Sequence, residues 1–228
     1  MNHSRKREFK QELYTHFARV GKALANNHRL ELLELLAQGE HSVENLARET
    51  DLSIANASQH LQVLHTAGLL EQRREGVFIF YWLTDGAFPL WQNLRDLAQS
   101  RLAEIDRLLS NTLERDTAIS FEELQVRLER GKTLLLDVRP QSEFEAAHIP
   151  GARNAPIAEL ETLLPTLKKR LELIAYCRGP FCVFADEAVE LLRAHGFKAY
   201  RLELGLPDWQ AAGHPIQQGA AVRPGAMA

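Results

Sequence analysis

The chain has 228 residues, 45% of them apolar and 25% charged, with 13 Gly and 9 Pro; this excludes a disordered or fibrous polymer and leaves room for one or two domains, each with its own core. Lys and Arg number 27 against 30 Asp and Glu, spread evenly along the chain, so nucleic-acid contacts must come from local clusters such as Arg5-Lys6-Arg7 with Lys10, or Arg73-Arg74. Two cysteines exclude a disulfide-stapled secreted module and a four-cysteine zinc site.

The start, Met1-Asn2-His3-Ser4-Arg5-Lys6-Arg7-Glu8, is charged and lacks the apolar stretch of a signal peptide. No apolar run approaches the roughly 20 residues of a membrane span. A cytoplasmic protein without a membrane partner is expected.

Residues 8–25 read as a first helix, with Phe9, Leu13, Phe17, Val20 and Leu24 at helical spacing. Asn26-Asn27 caps a second, carrying Leu30, Leu33 and Leu36 and ended by Gly39. Ser42 caps a third, with Val43, Leu46 and Ala47 inward. Ser53 caps a fourth that runs to about Thr66, with Leu61 and Leu64 inward and Gly68 as its stop. Two short helices joined by a tight turn make a helix-turn-helix. Residues 69–74 and 77–83 then read as strands around the turn signal Glu75-Gly76. Together these elements describe a winged helix, an α+β domain. Its fourth helix presents Asn56, Ser58, Gln59 and His60, whose donors and acceptors suit base edges and phosphates, with Ser53 at its start. Arg73 and Arg74 on the wing are placed to hold phosphates. A last helix, about 88–113, carries Leu90, Leu94, Leu97, Leu102, Ile105, Leu108 and Leu109. That stripe is too broad for packing on one small domain, and with the first helix it reads as a homodimer interface.

The stretch Ala23-Leu24-Ala25-Asn26-Asn27-His28-Arg29-Leu30-Glu31-Leu32-Leu33, then Leu52-Ser53-Ile54-Ala55-Asn56-Ala57-Ser58-Gln59-His60-Leu61-Gln62-Val63-Leu64, Ala67-Gly68-Leu69 and Arg73-Arg74-Glu75-Gly76 resembles the ArsR/SmtB family of dimeric winged-helix repressors over residues 8–113. The resemblance implies that Ser58, Gln59 and His60 approach double-stranded operator DNA and that an inducer releases it. Many members sense metals. Here no cysteine stands near Val43-Glu44-Asn45-Leu46, and the last helix offers Asp96, Glu104 and Asp106 without histidine, a poor zinc set. No metal site is expected in this half, and no cofactor in the chain.

A polar stretch, 110–116, separates a second domain at 118–216 from the winged-helix domain at 1–115. Ser120 caps a helix over 121–130. The continuous apolar runs Thr133–Val138 and Leu171–Tyr176 are marks of buried parallel strands. The second run leads into Cys177, then a helix over 186–195 stopped by Gly196, and a strand at 198–204. Alternating strands and helices predict an α/β domain with a parallel sheet, whose reactive groups lie at strand carboxyl ends. Residues 217–228 read as a loose tail.

Cys177-Arg178-Gly179-Pro180-Phe181-Cys182 holds both thiols. A thiol between a strand end and a helix start lies under backbone N–H groups and the positive helix end, here the amides around Gly179, Phe181 and Val183, with Arg178 as an adjacent cation. This setting binds anions and activates the thiol. A buried structural cysteine is the plain alternative. Leu135-Leu136-Asp137-Val138-Arg139, Glu143-Phe144, His148-Ile149-Pro150-Gly151-Ala152, Asn154 with Pro156, the Cys177 loop, His195-Gly196-Phe197 and Gly205-Leu206-Pro207-Asp208-Trp209 resemble the rhodanese (sulfurtransferase) family. The resemblance implies that Cys177 is the persulfide-forming nucleophile, that His148 belongs to a structural turn, and that Asp137, Arg139 and Glu143 form a supporting ion-pair network. Pro180 removes one amide from the cradle. Cys182 could attack a persulfide or sulfenic acid on Cys177 to give a bridge.

The reading is a DNA-binding repressor that senses a thiophilic inducer, most simply reactive sulfur or an oxidant, through Cys177 and Cys182. Two alternatives share the site: a sulfurtransferase with a regulatory DNA-binding domain, and a sensor of arsenic, selenium or tellurium oxyanions.

Overall fold

In a computed structural model of the chain, the structure describes residues 3–112 and 117–219. The chain divides into two compact units between Leu97 and Ala98. Among the described residues no helix is long and apolar enough to cross a membrane.

The first unit is built from α1 (His3–Leu24), α2 (Asn27–Leu36), β1 (His41–Ser42), α3 (Val43–Glu49), α4 (Ile54–Thr66), β2 (Leu70–Glu75), β3 (Phe78–Leu83) and most of α5 (Ala87–Arg101), which runs across the boundary. The caps are local hydrogen bonds. Asn26 accepts from the Arg29 amide, Ser42 from Asn45 and Ser53 from Asn56, each satisfying an amide that its helix leaves unpaired. Gly68 ends α4 at φ 80°, where a side chain would be strained. Leu32, Leu33, Leu46, Ala57, Leu61, Leu64 and Tyr81 are fully buried in one core. β2 and β3 form an antiparallel hairpin in which Arg73 faces Phe80, and β1 adds to β3 through His41 and Tyr81.

The expected single helix over 88–113 is two helices, α5 and α6 (Ala103–Thr112). Around Leu102 the ladder tightens: the Ile105 amide bonds the Leu102 carbonyl three residues back, a 3₁₀ connection that interrupts the α-helix. The polar stretch at 110–116 runs out of the described residues at 113.

The second unit continues with β4 (Ala118–Ile119), α7 (Phe121–Glu129), β5 (Thr133–Asp137), α8 (Gln141–Ala146), β6 (Arg153–Asn154), α9 (Leu160–Leu163), β7 (Glu172–Tyr176), α10 (Phe184–Ala194), β8 (Lys198–Leu202) and α11 (Leu206–Ala211). The five strands lie in the order β4-β8-β7-β5-β6, and every pair is parallel. Alternation along each strand sorts two cores. Leu136, Leu173, Ala175 and Cys177 pack with Val189 and Leu192, whereas Leu135, Ile174 and Tyr176 pack with Phe121, Leu124 and Trp209. Central β7, buried on both faces, therefore delivers Cys177 at its carboxyl end toward α10. Residues 217–219 depart from the expected tail: Gln217 exchanges backbone hydrogen bonds with His148, and the Gly219 amide bonds the Glu145 carbonyl. Residues 220–228 lie outside the described residues.

Leu61 has no exposed surface and sits where α4 meets its core. Leu61→Ala is expected to lower the stability of the first unit by about 2–5 kcal/mol, through lost burial and a cavity. Urea unfolding followed on that unit measures the loss.

Candidate functional site

Cys177 and Cys182 are joined as a disulfide, with their α-carbons 6.4 Å apart. Cys177 is 2% exposed and belongs to the core under α10, while Cys182 is half-buried. The Cys182 amide donates to the Gly179 carbonyl at 3.2 Å, so Gly179 to Cys182 forms a turn around Pro180. Val183 takes up the cap position of α10 with no side-chain hydrogen bond. Gly179 is buried, Phe181 half-buried and Val183 exposed. Of the six amides from Cys177 to Cys182, Pro180 lacks one and the turn engages another, so fewer point at a ligand than a plain strand-to-helix loop would offer.

Arg178 does not stand beside the sulfur as an uncompensated cation. Its guanidinium forks onto Glu143 of α8, with contacts of 2.5 Å, 3.0 Å and 3.2 Å, and Glu143 is almost wholly buried. Within the expected network of Asp137, Arg139 and Glu143, the Glu143 carboxylate serves Arg178 and also adds to the field that holds Arg139 charged. Asp137 and Arg139 pair directly, fully buried, with contacts of 2.6 Å and 3.0 Å, and Arg139 also donates to the Ala147 carbonyl. Burial opposes the charge on Arg139, but the adjacent Asp137 carboxylate outweighs it and holds the guanidinium above its ordinary pKa. Burial likewise pushes the Tyr176 phenol up, and its oxygen accepts from the Ile149 amide at 3.1 Å. His148 is buried, stacks on Phe144 with ring centroids 3.8 Å apart, and places Nδ1 2.8 Å from the Phe144 carbonyl.

Two features around the loop were missed by reading the sequence. Arg201 of β8, buried, approaches Asp186 at 3.4 Å and donates to the Pro180 carbonyl at 3.5 Å. An arginine between Tyr200 and Leu202, inside a strand, was the available signal. Gly205 touches the loop so closely that a Cβ there would overlap the Arg178 carbonyl and lie 2.7 Å from the Gly179 nitrogen. Nothing local marks that approach.

On the first unit, α4 separates the residues read as DNA contacts. Asn56 and Gln59 are exposed, on the side away from Ala57, Leu61 and Leu64; Ser58 and His60 are half-buried on the flanks. Burial, then Arg29 and His28 nearby, hold His60 below its ordinary pKa, so near pH 7 it offers a neutral ring. Ser53 uses its hydroxyl as the cap. Arg73 is engaged at 2.7 Å by both Glu40 and Glu75 and lies over the Phe80 ring, whereas Arg74 donates to the Gly76 carbonyl at the wing tip. Among the described residues no three His, Cys, Asp or Glu side chains gather as metal ligands.

Residues 120–212 match a rhodanese-like domain, and residues 26–72 match the arsR family of bacterial regulatory proteins. The chain is 42% identical over 215 residues to the HTH-type transcriptional regulator Rv0324 of Mycobacterium tuberculosis, covering 93% of this chain and 95% of that one. It is 32% identical over 120 residues to the adenylyltransferase and sulfurtransferase MOCS3-2 of Zea mays, covering 49% of this chain and 24% of that one. A solved homodimeric winged helix-turn-helix DNA-binding domain from Mycobacterium bovis, a possible ArsR-family regulator, is 42% identical, with 41% of this chain and 87% of that chain covered and a TM-score of 0.39.

If the close approach of Gly205 sets the loop, Gly205→Ala will displace Arg178 and Gly179 and separate the sulfurs. In a fixed thiol–disulfide buffer the oxidised fraction should fall several-fold relative to the parent chain, read by alkylation of free thiols and peptide mass. Gly21→Ala, whose Cβ meets open space, is the control. An unchanged oxidised fraction in Gly205→Ala would show that the contact does not shape the loop.

Proposed function

Because the chain belongs to the arsR family of bacterial transcriptional regulators and carries a rhodanese-like domain, we propose that it is a cytoplasmic, dimeric, DNA-binding repressor whose Cys177–Cys182 pair senses reactive sulfur or an oxidant. The observation that carries this reading is the joining of the two thiols at the carboxyl end of β7. A bridge closing so short a loop adds little by chain entropy, which leaves chemistry as its use.

The sulfur route balances in two steps. The Cys177 thiolate attacks a terminal sulfur of a polysulfide, forming a persulfide and releasing a polysulfide one sulfur shorter. The Cys182 thiolate then attacks Sγ of the protonated persulfide, forming the disulfide and expelling hydrosulfide. Both thiols are oxidised and the transferred sulfur is reduced. Closing the bridge changes DNA affinity only if the bonded and open loops favour different states of the regulator.

Dimerisation is supported by apolar surface that α1 and α5 leave uncovered, with Phe9, Tyr14 and Phe17 each about 60% exposed and Leu97 at 59%. A single layer of such residues along two helices fits an isologous interface. Asn56 and Gln59 would read base edges, with Ser58, His60 and Arg74 at the phosphates.

A second reading, a sulfurtransferase, is favoured by the similarity to the maize sulfurtransferase. It requires repeated transfer: thiosulfate leaves its outer sulfur on Cys177 as sulfite departs, and cyanide removes that sulfur as thiocyanate.

The test is DNA binding by the full chain on a duplex from upstream of its own gene, reduced and then polysulfide-treated. Treatment should weaken binding tenfold or more, about 1.4 kcal/mol, and a dithiol reductant should restore it. Cys182→Ser should retain one added sulfur on Cys177 by mass and keep its DNA affinity. Loss of DNA binding by treated Cys182→Ser, or thiocyanate turnover with no change in DNA affinity, would overturn the switch.

A further inference from the structure

A groove of about 660 Å³ runs between α1 and α4, lined by Thr15, His16, Arg19, Lys22 and Ala23 on one side and Gln59, Gln62, Val63 and Thr66 on the other. The α4 wall is the exposed side of that helix, opposite Ala57, Leu61 and Leu64. The α1 wall is cationic. Arg19 and Lys22 are exposed, neither pairs with a carboxylate among the described residues, and no Asp or Glu lines the groove. This contrasts with Arg48, Arg73 and Arg95 of the same unit, each held by an acid.

The position of this wall is fixed. Arg29 donates from Nε to the Ala23 carbonyl and from Nη2 to the Lys22 carbonyl at 2.9 Å, tying the last turn of α1 to the start of α2. A cation on those otherwise unpaired carbonyls also suits the negative end of the helix. Arg19 and Lys22 lie roughly 120° and 180° around the helix from the centre of the Phe9, Leu13 and Phe17 stripe, at about 3.6 residues per turn. The apolar stripe proposed for dimerisation and the cationic wall are therefore different faces.

We propose that the α1–α4 groove binds the phosphate backbone of duplex DNA, with Arg19 and Lys22 as its cations, extending the interface of α4 along α1. The proposal rests on the DNA-binding reading above and adds a surface to it. Charge complementarity selects the occupant: a continuous line of phosphates meets two uncompensated cations beside the helix face that carries Gln59. Gln62 is not counted as a contact, because its amide already donates to the Tyr81 hydroxyl at 2.8 Å.

The experiment measures the affinity of the full reduced chain for two short duplexes, one of arbitrary sequence and one from upstream of its own gene, across a salt series. Arg19→Gln, Lys22→Gln and the double variant are compared with Gln59→Ala, after a thermal melt confirms folding. Each lost phosphate contact should lower the magnitude of the slope of log K against log salt by about 0.9 per protomer, hence by nearly 2 per protomer, or about 3.6 for a bound dimer, in the double variant. The affinity ratio between the two duplexes should stay constant in these variants, since phosphate contacts carry no sequence information. An unchanged slope in the double variant overturns the groove proposal while leaving DNA binding intact. Failure of the parent chain to bind either duplex overturns the DNA-binding reading itself, and the groove with it.

Discussion

The Cys177 loop is held by arginines whose charges are already answered. Arg178 lies on Glu143, Arg201 lies by Asp186 and reaches the Pro180 carbonyl, and Arg139 lies on Asp137 behind Tyr176. Each pair is largely removed from water, so its attraction does little more than offset desolvation. Removing one partner, however, would strand a buried charge at a cost of about 3–5 kcal/mol. Such pairs set geometry better than they add stability. They tie α8, the Cys loop, the first turn of α10 and β8 to one arrangement, and Gly205 seals it by admitting the Arg178 carbonyl where any side chain would collide.

Neutralised arginines also determine what the loop can attract. No uncompensated side-chain cation stands beside the sulfurs among the described residues, and the start of α10 carries Asp186 and Glu187 in its first turn, so backbone N–H groups are the donors left to the loop. Pro180 and the turn onto Gly179 reduce those donors. The loop therefore offers a ligand few amides beside its two adjoining sulfurs.

Most of the scaffold was legible because its causes are local. Asn26, Ser42, Ser53 and Ser120 each accept from an amide three residues on, and a capping residue before an apolar period is visible in the sequence. The runs at 133–138 and 171–176 read as parallel strands because a sheet covered on both faces leaves no polar alternation. The rest depends on distant partners. The two-residue strands β1, β4 and β6 exist only through the strands they join, and the break at Leu102 has no proline or glycine to announce it. Glu143 and Arg178 meet across 35 positions, so the fate of the loop cation could not be seen beside Cys177. The thiols themselves were legible, but their bonding depended on how far Gly179 and Pro180 turn the chain.

The two units share one electrostatic logic with opposite outcomes. In the winged helix Arg73 is compensated twice and His60 is kept neutral, so two residues that look cationic in sequence contribute little free positive charge. With a formal net charge of −3, attraction to a duplex must come from the few cations that stay unpaired. A regulator held to DNA by a small number of phosphate contacts has a modest electrostatic term. The buried arginines around Cys177 make the complementary case: Glu143, Asp186 and Asp137 satisfy their charges in place, so they fix the loop without lending it free positive charge.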